Sequence, residues 1–63
     1  MTAAARWTAV AVAELRSAAW CRREALTHPK ASPARARELH EARNRVAESR
    51  WARTVARLHR ALP

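Results

Sequence analysis

The sequence predicts an all-α protein, an antiparallel two-helix hairpin completed by self-association or by a partner. Three observations point there. Alanine and arginine, both strong helix formers, dominate a chain of 63 residues that has no glycine, phenylalanine or tyrosine. One proline-bearing break, Thr27-His28-Pro29-Lys30-Ala31-Ser32-Pro33, divides the chain near its middle. Apolar residues recur at helical spacing on both sides of that break. The few valines are scattered among alanines, so the β-branched runs that a sheet requires are missing.

The chain is long enough for one domain, residues 1–63. Its first helix is expected over about residues 3–27, with Thr2 as the N-cap. Pro29 disfavours helical geometry at His28 and ends that helix. A linker follows at 28–32. Ser32 reads as the second N-cap and Pro33 as the first helical residue, a position where the missing N–H costs nothing. The second helix is expected over about 33–61, and Pro63 marks the chain end. Cations close both helices, with Arg22, Arg23 and His28 at the first end and Arg57, His59 and Arg60 at the second. A short connection between two such helices favours antiparallel neighbours.

Folding near residue 30 opposes positions whose numbers add to about 60. On the first helix Trp7, Val10, Ala11, Leu15, Ala18, Ala25 and Leu26 share an apolar arc. On the second, Leu39 and Val46 begin one stripe, and Trp51, Val55 and Leu58 continue on a rotated one, as a supercoil or the use of two different surfaces by the two halves would produce. Of these, Trp7, Val10, Leu15, Leu26, Leu39, Val46, Trp51, Val55 and Leu58 form the expected hairpin core, and the alanines between them let the helices approach closely. Two helices cannot enclose a core on every side, and a chain of this size buries little surface. Association, with itself or with a partner, is therefore expected to finish the fold.

The formal net charge is +8, and twelve of the thirteen basic residues are arginine. Arginine presents a planar fork of donors to phosphate or carboxylate. Arg43, Arg50, Arg53, Arg57 and Arg60 follow steps of seven, three, four and three, which place them on one face of the second helix. They are the candidate site for an anionic partner, and the alternative is a solvated helix face. Farther back, Glu41 and Glu48 lie within pairing distance of Arg45 along the helix. Trp20, with Arg16 and Arg23 beside it, lies off the apolar arc and is the candidate protein interface.

Other chemistry has little footing in the sequence. Cys21, His28 and His40 do not reach the four ligands of a zinc site, so no metal and no cofactor are expected. Glu24 and His28 are four apart, but a cation at a helix C-terminus explains His28 equally. Without glycine there is no phosphate-binding loop and no nucleophile elbow, and no enzyme is expected. The lone cysteine and the lack of a bilayer-spanning apolar run lead to a cytoplasmic expectation. The sequence thus reads as a small basic accessory protein that binds an anionic partner, nucleic acid or a nucleoprotein assembly. The alternative is a structural or regulatory subunit of a protein-only complex. A third reading is a basic helix lying on a membrane surface.

Overall fold

The computed structural model describes residues 1–62, and the expected stop at Pro63 lies outside them. The protein is an all-α hairpin of two helices, α1 (Ala3–Ala25) and α2 (Pro33–Ala61). They pack along their lengths into a ribbon with Cα extents of 51 × 15 × 9 Å.

Both expected caps are present. The Thr2 hydroxyl accepts from the Ala5 N–H at 3.1 Å, and the Ser32 hydroxyl accepts from the Arg35 N–H at 3.2 Å. Pro33 occupies the first turn of α2. The first helix closes two residues earlier than its expected end. Leu26, Thr27 and His28 instead donate their N–H groups three residues back, to Arg23, Glu24 and Ala25. That tightening is the usual end of a helix whose next residues cannot continue it, and here Pro29 forbids the continuation. The Ser32 hydroxyl also donates to the Pro29 carbonyl at 2.8 Å, so one side chain both closes the turn and opens α2.

The antiparallel register is as expected. Ser49 donates its hydroxyl to the Ala11 carbonyl at 2.8 Å, and Arg45 meets Glu14 at 3.3 Å, both pairs adding to about 60. Along the seam lie Ala11, Ala18 and Ala25 of the expected arc of α1, but not the large side chains expected with them. Buried on α1 are Ala11, Ala18, Cys21 and Ala25, and on α2 Ala42, Ser49, Ala52 and Ala56. Ala11, Ala18 and Ala25 recur every seven residues, as do Ala42, Ser49 and Ala56. This is the heptad of a coiled coil with small residues at one of its two seam positions. Small side chains permit a close approach, close enough for the Ser49 hydroxyl to reach the backbone of the other helix.

The expected core of large side chains is corrected accordingly. Val10, Leu15, Leu26, Leu39, Trp51 and Leu58 are exposed, Trp51 by 59% and Leu58 by 60%. Trp7, Val46 and Val55 are only half-buried. The physical reason is the spacing. At 3.5 residues per turn the alanine heptad faces the partner helix, and the larger residues fall on the flanks of the ribbon. The two stripes of α2 are two different surfaces: Leu39 and Val46 lie on one side of the ribbon, and Trp51, Val55 and Leu58 lie on the other.

The second seam position carries polar groups. Glu14 sits beside Arg45, whose Nε also reaches Glu41 at 2.9 Å. The hydrogen bond that Arg45 donates to Glu14, then the charges of Glu14 and Glu41, push the Arg45 guanidinium above its ordinary value. One heptad along, burial, with Glu38 and Glu41 adding to it, pushes the Cys21 thiol up. The thiolate is the reactive form, and access to this side chain requires opening of the seam. Alkylation of Cys21 at mildly alkaline pH is therefore expected to be at least about tenfold slower in the folded chain than in denaturant. Equal rates, followed by mass spectrometry, would place the thiol at the surface.

Candidate functional site

The ribbon has two broad flanks, and the heptad assigns each side chain to the seam, to an outer edge or to one of these flanks. In an antiparallel pair the same heptad position of each helix lies on the same flank. The bond from Arg60 Nη2 to the Thr8 hydroxyl at 3.0 Å shows which flank α1 and α2 share. That flank carries Thr8, Val12, Leu15 and Arg22 from α1, with Leu26 just beyond its end. From α2 it carries Leu39, Arg43, Val46, Arg50, Arg53, Arg57 and Arg60.

The charges on it are of one sign. All five expected arginines, Arg43, Arg50, Arg53, Arg57 and Arg60, are exposed and share this flank. The chain's five glutamates, Glu14, Glu24, Glu38, Glu41 and Glu48, lie in the seam or on the opposite flank. Among the described residues, the only guanidinium that forms an ion pair is that of Arg45, on the acidic side. The stripe expected from spacing is thus present, and the structure adds Arg22, which the sequence reading left out. Arg22 belongs to the other helix, seven residues beyond Leu15, and only the register between helices brings it to this flank.

At the open end of the hairpin the stripe closes around a recess. Thr8, Arg53, Ala56, Arg57 and Arg60 line a shallow hollow of about 240 Å3. Buried Ala56 floors it because a small residue is required there by the seam. Two of its arginines are held by hydroxyls, Arg60 by Thr8 and Arg57 by Thr54 at 3.4 Å. A hydroxyl leaves the guanidinium charge unneutralised, so the forks remain available to an anion. A second hollow, on the other flank, is lined by Glu14, Glu41, Asn44, Arg45 and Glu48.

The tryptophans stand apart from the arginine stripe. Trp20 and Trp51 occupy the same heptad position of the two helices, on the acidic flank, and both are exposed. Arg16 and Arg23 lie next to Trp20 at the outer edge of α1, also exposed. The expected grouping of Trp20 with Arg16 and Arg23 therefore exists as a surface patch, separate from the stripe. No helix among the described residues is long and apolar enough to cross a membrane. No group of three or more metal-ligating side chains is found among them.

These features define a class by fold and surface: a small alanine-seamed helical hairpin whose flanks differ in charge. Comparison with protein-family models, with curated proteins and with solved structures finds no match to the chain.

Proposed function

We propose that the chain is a non-catalytic binding module that holds the phosphate backbone of a nucleic acid along its arginine flank. The observation that carries this reading is that, among the described residues, no carboxylate side chain lies on the flank that bears six arginines. A solvated helix face in a chain with paired charges elsewhere would carry both signs. Arginine suits phosphate because its fork makes two parallel bonds, and a thin ribbon can lie across a backbone without a deep groove. Base stacking is a lesser part of this reading, because all three tryptophans lie off the stripe. Backbone contact positions a protein on nucleic acid without selecting a sequence.

A second reading is favoured by Val12, Leu15, Leu39 and Val46, which share the flank with the arginines. An acidic protein with an apolar stripe would engage both kinds of group.

A salt titration of binding separates the two. Each phosphate contact contributes about 0.9 to the log–log slope on duplex DNA. Arg53→Gln with Arg57→Gln should weaken binding on unrelated duplexes alike and flatten that slope. Arg16→Gln with Arg23→Gln removes the same charge from the outer edge of α1 and should do much less. Equal losses in the two variants would mean that net charge alone drives binding, and would reject the flank as the site. A parent chain that binds no nucleic acid would leave the acidic-protein reading in its place.

A further inference from the structure

We propose that two copies of this chain associate back to back, through the flank that carries Val10, Trp51, Val55 and Leu58, leaving an arginine flank on each outer side. This goes beyond the reading of the arginine flank and does not depend on what that flank binds.

The first observation is apolar surface. Val10, Trp51 and Leu58 are exposed in the hairpin, and Val55 is half-buried beside them. All four lie toward the open end on the flank opposite the stripe. A run of large apolar side chains that includes an indole marks a protein contact. The second observation is charge. Two arginine flanks cannot face each other, because six guanidiniums would meet six with no carboxylate between them. The opposite flank carries both signs: the seam and this side hold all five glutamates together with Arg6, Arg37 and Arg45. It is the flank on which a second copy meets no such one-signed field. The third observation is size. A ribbon of 51 × 15 Å offers a footprint on the order of 750 Å2. That is close to the roughly 800 Å2 per partner of a standard stable interface. Stacking two ribbons encloses the indoles between four helices, which two helices alone cannot do. A two-fold arrangement is closed and needs only this one surface.

Sedimentation equilibrium of the full chain at micromolar concentrations tests this. A dimer is expected that tightens with added salt, because the contact is apolar and the net charge is screened. Trp51→Ala with Leu58→Ala should shift the chain to monomer while helicity by circular dichroism is kept, since neither side chain enters the seam. Leu26→Ala with Leu39→Ala, on the arginine flank, should leave the dimer intact. A fluorescence measurement keeps the test decisive if the first variant unfolds. In a chain with Trp7→Phe and Trp20→Phe, Trp51 emission should move to the blue and its quenching by acrylamide should fall as concentration rises. A monomer throughout, or Trp51 equally quenched at low and high concentration, overturns the proposal. So does a dimer lost only in the Leu26 and Leu39 variant. Species that grow beyond dimer with concentration overturn it as well, because they signal head-to-tail stacking of unlike flanks.

Discussion

Replacing Ala18 by leucine is expected to destabilise the hairpin by about 1–3 kcal/mol, whereas replacing Leu26 by alanine should cost less than about 0.5 kcal/mol. The order reverses what side-chain size suggests. Ala18 is 0% exposed, and the register sets it opposite Ala42, which is 2% exposed. There is no space between two alanines in a close seam, so a leucine has to push the helices apart. Every neighbouring rung, including the Ser49 to Ala11 bond, then lengthens. Leu26 lies in the turn and is 71% exposed, so its truncation removes little buried surface. Urea melts of both variants beside the parent, at one protein concentration, measure the difference. A leucine at position 18 that is tolerated as well as alanine at 26 would mean that the alanine heptad is not the packed seam.

Reversing charge on the arginine flank should separate stability from binding. With Arg53→Glu and Arg57→Glu together, affinity for duplex DNA is expected to fall at least about 100-fold. Two charge-assisted contacts are lost and two repulsions replace them. Thermal stability is expected to hold or rise in the same variant. Both side chains are exposed, and neither forms an ion pair in the hairpin. On a chain of formal charge +8, each reversal relieves self-repulsion. A flank that costs stability and confers binding is one kept for its partner. The pair of measurements is a melt and a binding isotherm on one preparation. If stability falls with binding, the arginines are structural and the flank is not a site.

Much of the architecture is legible in the residues. Helix follows from alanine and arginine without glycine, and the turn from Pro29 and Pro33 with Ser32 between them. Antiparallel pairing about residue 30 follows from the short linker, and the arginine stripe follows from steps of three, four and seven. These are local properties, set by backbone preference and helical spacing within one element.

Which residues form the seam is a property of the pair. Leu15, Trp51 and Leu58 have the larger transfer energies and read as core on any single helix. Spacing puts Ala11, Ala18 and Ala25 in the apolar arc of α1, but seventeen alanines are spread along the chain, so alanine gives little contrast by which its six buried copies stand out from larger neighbours. Two helices that pack along their lengths settle where their backbones approach closest and their rungs stay in phase over many turns. Only the seven-residue series of small side chains allows that. The same register turns five arginines on α2 and Arg22 on α1 into a single flank, and sends every glutamate to the seam or the other side. Sequence spacing determines the face of one helix on which a residue lies. The tertiary structure decides which faces of the two helices become one surface, because that depends on a register between elements no single helix contains.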